Sequence, residues 1–356
     1  MLECRCDLGA LRSNARYIKE KTSAPLIAVL KSDGYGAGLV RCAMALEGEA
    51  LAVAVADAKE AAALLRAGVD ADILTLAPPS HRELEIAESG VVIALDKPEL
   101  VTALAERASK ARVQLRLDLE NSGIGLDERG YLASLSELAK HPSLTLWGVF
   151  AHCPSLYRGE SSEAIARRFE GLCEAARSLA PGCVRHLATS AALSNERLRF
   201  DAVRCGTALM GLPSFPHQKT APLIAVISLA APILRIFEIK GGLSLYDCAA
   251  DVKKITRAGL VGAGYGELPA LLQKDEVKLA VRGALCPVIG RAAMCHTVID
   301  LTGAPDAREG DEAAFAGASG SLAMTAESFA LSCGVPACRC EGALMCTPAA
   351  DKIYFE

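Results

Sequence analysis

Eight short apolar runs recur between residues 25 and 211, and this repetition constrains the fold of the 356-residue chain more than any other feature. They are PLIAVLK (25–31), LAVAVAD (51–57), DILTLAP (72–78), GVVIAL (90–95), VQLRLDL (113–119), LTLWGVFAH (144–152), VRHLATS (184–190) and VRCGTALMG (203–211). Short continuous apolar runs bounded by turn signals are what strands buried on both faces look like. Between most of them lie segments with helical spacing, such as AKEAAALLRAG, PELVTALAERASKA and SSEAIARRFEGLCEAARSLA, each closed by Gly, Pro or a polar cluster. Strand followed by helix eight times predicts an α/β fold with a parallel sheet closed into a (β/α)8, TIM-like barrel, which takes about 250 residues or slightly fewer. The last connection, AALSNERLRFDA, has room for little more than one helical turn.

Past TAPLIAVISLAAPILRIFEIKGG the pattern changes. Short strand-like pieces alternate with Gly and polar turns, and only MTAESFALSCG reads as helical, which predicts a smaller, mainly β domain. The expected division is 1–222 for the barrel and 223–356 for the β domain.

Composition narrows the function. Lys+Arg 38 against Asp+Glu 42 gives a net charge of −4, so no basic patch argues for nucleic acid, and a small-molecule protein is expected. At 51% hydrophobic and 22% charged the chain is too apolar for disorder. No stretch approaches the roughly 18 apolar residues of a membrane span, and the opening MLECRCDLGALRSNARYIKE is interrupted by charge, so the expectation is a cytoplasmic protein with no membrane partner. Fourteen cysteines scattered through a long chain, many in apolar runs, read as free thiols.

Barrels of this kind gather their chemistry at the carboxyl ends of the strands. Here those ends carry Lys31, Arg116 with Asp118, His152, Thr189 with Ser190, and Arg204 with Gly206 and Thr207. A lone lysine closing a strand reads more readily as a snorkelling or ion-paired terminus. Opposite it, however, Ser190, Gly206 and Thr207 follow the seventh and eighth runs, where such barrels often hold phosphate through backbone N–H groups and small hydroxyls. A lysine nucleophile facing a phosphate cradle points to pyridoxal 5'-phosphate held as a Schiff base.

The motifs carry a resemblance. AVLKSDGYGAG is similar to the cofactor-lysine motif of the alanine racemase family, HLATSAALSNERLRFDAVRCGTALMG to its phosphate and pyridine segment, and GRAAMCHTVIDLTG to its carboxyl-domain motif. LRIFEIKGGLSLYD resembles the stretch bearing its second base, and GAGYGELP its entrance channel. The resemblance implies that Lys31 is both the Schiff-base lysine and one proton-transfer base, and that Tyr35, Ser190, Gly206 and Thr207 bind the phosphate. Arg204 would donate to the pyridine nitrogen, leaving it essentially neutral, and His152 would sit between Arg204 and the second base, although a strand-closing histidine is as often structural. Tyr246 would be the base on the opposite face, delivered by the β domain of a second subunit in a homodimer with shared active sites. Tyr265 would line the entrance channel, with a second-base role as its competitor, and Met294 would line the substrate pocket, with core packing as its alternative.

Departures from the family pattern cluster at the substrate rim. In RLDLENSGIG, gapless alignment puts Gly123 where an arginine would contact the cofactor's phenolic oxygen and Arg116 where a lysine, often carbamylated, would support it. Thr189 replaces an Asn, Cys295 an Asp, Asp247 the Gly after the catalytic tyrosine, and Leu271 an entrance-channel arginine. The expected activity is a pyridoxal phosphate racemase acting on alanine by two-base transfer and supplying D-alanine for peptidoglycan. A racemase for another small amino acid such as serine, or a weakly active regulatory or carrier paralogue, are the alternatives. A decarboxylase would want a carboxylate at the pyridine nitrogen, against Arg204.

Overall fold

The computed structural model describes residues 1–155, 162–215, 222–245, 248–272 and 277–356. Its internal contacts divide into two compact units: Leu11–Gly34 with Gly38–Leu209, and Met1–Ala10 with Tyr35–Ala37 and Met210–Glu356.

After β1 (Glu3–Asp7), the strands of the barrel unit are β2 (Leu26–Val29), β3 (Ala52–Val55), β4 (Asp72–Thr75), β5 (Val92–Leu95), β6 (Ala111–Leu117), β7 (Leu144–Ala151), β8 (Val184–His186) and β9 (Val203–Cys205). Each falls inside one of the eight apolar runs, except that β6 begins two residues ahead of its run. They pair in the order β8-β7-β6-β5-β4-β3-β2-β9, all parallel, and a bridge between Thr189 and Arg204 brings the ends of that order together. Asp201 staples this closure. Its Oδ2 accepts from the Arg185 backbone N at 2.9 Å and Nε at 2.8 Å, tying β8 to the segment that enters β9.

The strands are apolar throughout because both faces are covered; every residue of β2, β3 and β5 is buried. Helix spacing supplies the cover. In Glu163–Leu179 the buried residues are Ala166, Phe169, Cys173 and Ala176, one stripe of a helix. Phe169 meets Phe200 edge-on at 4.9 Å, and its truncation to alanine is expected to cost roughly 3–5 kcal/mol. Helix Ala58–Arg66 begins where Asp57 accepts from the Glu60 N–H at 3.0 Å. The final connection holds only the short 3₁₀ turns Ser190–Ala192 and Glu196–Leu198, matching its length.

The second unit is mainly β, with β10 (Ile227–Leu245), β11 (Cys248–Val261), β12 (Lys278–Val281), β13 (Ala284–Pro287), β14 (Thr297–Asp300), β15 (Glu312–Ser319), β16 (Leu322–Met324) and β17 (Asp351–Phe355). β1 lies in this sheet, antiparallel to β10 with Glu3 opposite Ala230 and parallel to β17 with Glu3 opposite Asp351. A strand–helix pattern that begins at the amino terminus reads as barrel locally. Pairing with strands so distant in the chain leaves no local signature, so assigning residues 1–222 wholly to the barrel missed it. Helix Ala326–Ser332 is the one expected from the pattern; Thr325 Oγ1 caps it by accepting from Ser328 N at 3.1 Å, and Phe329 packs edge-on to Phe315. A further short helix, Cys340–Leu344, was not expected, because five residues show no period.

The cysteines whose side chains are described are free thiols, most of them buried. Burial pushes the Cys173 and Cys205 thiols up to about 12, which keeps them protonated and inert at neutral pH. Among the described residues no helix is long and apolar enough to cross a membrane.

Candidate active site

Lys31 lies two residues beyond the end of β2 and is exposed at the carboxyl mouth of the barrel. The chain then makes a left-handed turn: Ser32 has φ 56, ψ 54, Asp33 φ 55, ψ 46, Gly34 φ 63, ψ 41, and Tyr35 φ 56. For residues with a β-carbon this conformation costs roughly 1–2 kcal/mol each, and it persists only where neighbours hold it. They do. The Asp33 N–H donates to Glu60 Oε1 at 2.9 Å, while the Asp33 side chain accepts from Leu39 N at 2.9 Å and its carbonyl from Gly38 N at 2.8 Å. Glu60 is itself fixed, its Oε2 accepting from Ala56 N at 2.9 Å at the end of β3. The strand thus stops two residues short of the lysine, and Tyr35, the last residue of the turn, is buried.

Across the β2–β9 pair, Ile27 is in register with Arg204, which is 4% exposed. Its guanidinium is clamped. Nη2 donates to Ala151 O at 2.6 Å, and Nη1 donates to His186 O and, at 3.2 Å, to His186 Nδ1. Phe150 lies under both groups, 5.1 Å from the guanidinium carbon and stacked on the imidazole at 5.3 Å. Burial, and then the charge of Arg204, holds His186 well below the ordinary histidine range. His152, closing β7, is pushed down to about 4 by burial and by the charges of Arg204, Lys31 and Arg116. Both imidazoles are neutral at pH 7, so His152 adds no fourth positive charge to those of Arg204, Lys31 and Arg116.

The loops after β8 and β9 converge on Ser190. Its hydroxyl accepts from Gly206 N and Ala208 N, both at 3.1 Å, which places Thr207 between the two donors. Thr189, in place of the family's asparagine, precedes the Ser190 turn with extended backbone and is buried.

In the second unit Tyr265 and Met294 are brought together: Tyr265 N donates to Ala293 O at 3.0 Å and Gly266 N to Met294 O at 2.8 Å. The approach is close enough that a β-carbon on Gly264 would stand 2.1 Å from Ala293 O. Met294 is 57% exposed, which disfavours the core-packing alternative. Leu271 is buried within the 3₁₀ turn Pro269–Leu272, and Cys295 is exposed. Tyr246 and Asp247 lie outside the described residues.

Sequence reasoning missed His186, Asp33 and Glu60. His186 stands within an apolar run, and only the side-chain geometry of the barrel interior reveals it as an acceptor for Arg204. Asp33 was visible in the SDGYG segment but reads locally as an ordinary turn residue.

Residues 6–214 match the alanine racemase N-terminal domain, and residues 226–341 match the alanine racemase C-terminal domain. The chain belongs to the alanine racemase family. An alanine racemase of Xanthomonas axonopodis pv. citri is 33% identical over 308 residues, covering 85% of this chain and 84% of its own. One from Mycobacterium avium is 30% identical over 348 residues, covering 93% and 89%. Among solved members of the alanine racemase family, the biosynthetic enzyme of Pseudomonas aeruginosa superposes with a TM-score of 0.87 at 25% identity, covering 100% of this chain and 99% of that one. The Bacillus anthracis enzyme, solved with bound L-Ala-P, gives 0.85 at 26% identity, covering 99% and 94%.

The donor set suits pyridoxal 5'-phosphate. An amine stands at the strand end, a clamped guanidinium lies one strand away, and Ser190 draws two backbone N–H groups to a small hydroxyl in the loops beyond. Lys31 would hold the aldehyde carbon, Arg204 the pyridine nitrogen, and Ser190, Gly206 and Thr207 the phosphate.

Proposed function

We propose that this chain is a pyridoxal 5'-phosphate-dependent racemase interconverting L- and D-alanine. The observation that carries the reading is Lys31 at the barrel mouth beside the strand of the clamped Arg204, with the Ser190 hydroxyl drawing in Gly206 N and Ala208 N in the loops beyond. When bound, the cofactor supplies a conjugated electron sink that acidifies the α-proton of an amino acid. Lys31 would hold the cofactor through Nζ and, once the substrate's amino group has displaced it, the freed amine would move the α-proton on one face. Racemisation returns a proton to the other face, so a second group must flank the same carbon. Tyr246 of the partner subunit takes that role in a homodimer with shared sites, with Tyr35 adding to the phosphate donors and Tyr265 and Met294 bounding the substrate. Arg204 would donate a hydrogen bond to the pyridine nitrogen without giving up its proton, which would leave the ring nitrogen neutral, moderate the electron sink and restrain side reactions. A closed two-fold dimer is also the commonest soluble assembly. In the cell the enzyme acts in the cytoplasm and supplies D-alanine for peptidoglycan.

Borohydride reduction of the holoenzyme followed by peptide mapping is expected to place a phosphopyridoxyl group on Lys31, and a label on any other lysine would reject the assignment. Conversion of L-alanine to D-alanine by chiral chromatography tests the reaction, and a faster turnover of serine would change the substrate. Mixing Lys31→Ala with Tyr246→Phe subunits should restore activity through one intact hybrid site. If subunits exchange and none returns, the sites are not shared. Rescue of a D-alanine auxotroph tests the wall-building role.

A further inference from the structure

Position 123 offers the cofactor no cation. Gly123 is exposed with φ +75, and no atom lies within 4 Å of where its β-carbon would be. An arginine grafted there would be strained by the backbone alone. Seven residues earlier, Arg116 projects from β6 half-buried. Its guanidinium has one hydrogen bond among the described residues, from Nη1 to Leu76 O at a long 3.4 Å, and its Nε is buried with no partner among them. Burial lowers the Arg116 pKa, against the opposing charges of Asp96 and Asp118.

Neither carboxylate satisfies it. Asp118 is committed to its own loop, accepting from Glu120 N at 3.2 Å, Ser122 N at 2.9 Å, Ser122 Oγ at 3.1 Å and Gly123 N at 2.7 Å. Asp96 has a buried Oδ1 with no partner among the described residues. A desolvated guanidinium with unmade bonds is costly unless something completes it. Arg116 Nη1 reaches Leu76, the first residue past β4, so the guanidinium lies at the carboxyl mouth of the barrel, as Lys31 does.

The covalent structure of pyridoxal phosphate says what could complete it. On the ring, the aldehyde lies opposite the nitrogen, and the phosphate arm and the phenolic oxygen flank the aldehyde on opposite sides. With the phosphate arm over the loops after β8 and β9, the phenolic oxygen turns away from those strands. On that side of the barrel order stand β4, β5 and β6, and Arg116 of β6 reaches across to Leu76 beyond β4.

We propose that Arg116 neutralises the ionised phenolic oxygen of the cofactor, making it a cofactor-binding residue of this chain. The inference rests on the pyridoxal phosphate reading above. The test is equilibrium binding of two probes to the full-length apoprotein: pyridoxal 5'-phosphate, and its 3-deoxy analogue, which lacks only the phenolic oxygen. Arg116→Ala should weaken pyridoxal phosphate by about 10- to 100-fold, the range for losing a hydrogen bond to a charged group. The same substitution should weaken the deoxy analogue by less than about threefold, and Arg116→Lys, which keeps the charge without the fork, should fall between wild type and Arg116→Ala for the natural cofactor. Equal losses for both probes would show a merely structural arginine, and no loss for either would show that it is remote; both overturn the proposal. Wild-type protein that binds neither probe would sink the pyridoxal phosphate reading itself, and this assignment with it.

Discussion

Arg204 Nη1 lies 3.2 Å from His186 Nδ1. A guanidinium only donates, so Nδ1 must accept, and the imidazole proton resides on Nε2, which is buried with no partner among the described residues. The pair sits inside the barrel closure, since Arg204 also bridges Thr189. One contact therefore sets the histidine tautomer, orients the arginine and helps seal the sheet.

Substituting His186 separates these roles. His186→Leu removes the acceptor and leaves a buried guanidinium hydrogen unpaired, for an expected loss of roughly 1.5–3 kcal/mol in urea unfolding and weaker cofactor binding. His186→Asn places an amide oxygen near the Nδ1 position and should recover most of the cofactor affinity. Indistinguishable cofactor binding by His186→Leu and wild type would mean that the clamp does not position Arg204.

Stability should fall on the acid side. The unfolded chain takes up a proton on His186 near pH 6.5, whereas the folded chain, with its pKa held well below that value, does not. The contribution is therefore complete above about pH 6.5 and is lost as pH drops, at up to about 1.4 kcal/mol per pH unit. His152, at about 4, acts in the same direction between its unfolded and folded values. Urea midpoints measured from about pH 7.5 down to about pH 5 should decline more steeply for wild type than for His186→Asn. Parallel curves would contradict the assignment of a neutral buried imidazole.

The left-handed turn at Lys31 depends on two carboxylates. Glu60→Ala deletes the acceptors for Asp33 N and Ala56 N, and Asp33→Ala deletes the acceptor for Leu39 N. Either change is expected to cost roughly 1–2 kcal/mol and to raise amide exchange across residues 31–39 while the barrel helices stay protected. Unchanged exchange in that segment would show that the turn is held by other contacts.

Gly264→Ala should disturb the Tyr265–Met294 pair, because its β-carbon would meet Ala293 O at 2.1 Å and the Met294 carbonyl carbon at 2.6 Å. Backbone cannot yield cheaply, so a loss of roughly 1–3 kcal/mol is expected in thermal unfolding. If these residues bound the substrate, the KM for alanine rises with it. A variant with normal stability and normal KM would dissociate this pair from substrate binding.

Much of the barrel was legible because buried parallel strands need continuous apolar runs and their covering helices need a stripe every third or fourth residue. Both demands are local, so eight runs predicted eight strands, and the residues ending them located Lys31, His152, Ser190 and Arg204. The motif order carried the family in the same way. Local pattern also separated the mainly β portion, since its runs are short, turn-bounded and lack helical spacing.

Interactions distant along the chain were not legible. β1 joins β10 and β17 because hydrogen-bonding edges meet in space, and nothing in ECRCD indicates which edge it will find. The left-handed backbone of Ser32, Asp33 and Tyr35 runs against residue preference and is held by Glu60, from the first turn of the helix after β3, together with the Asp33 carboxylate. The sequence by itself determined the alternation of strand and helix, the amine at the mouth and the arginine near it. Only the tertiary structure decided that His186 clamps that arginine and that Asp118 turns away from Arg116 into its own loop, because hydrogen-bond partners are chosen by packing geometry rather than by position in the chain.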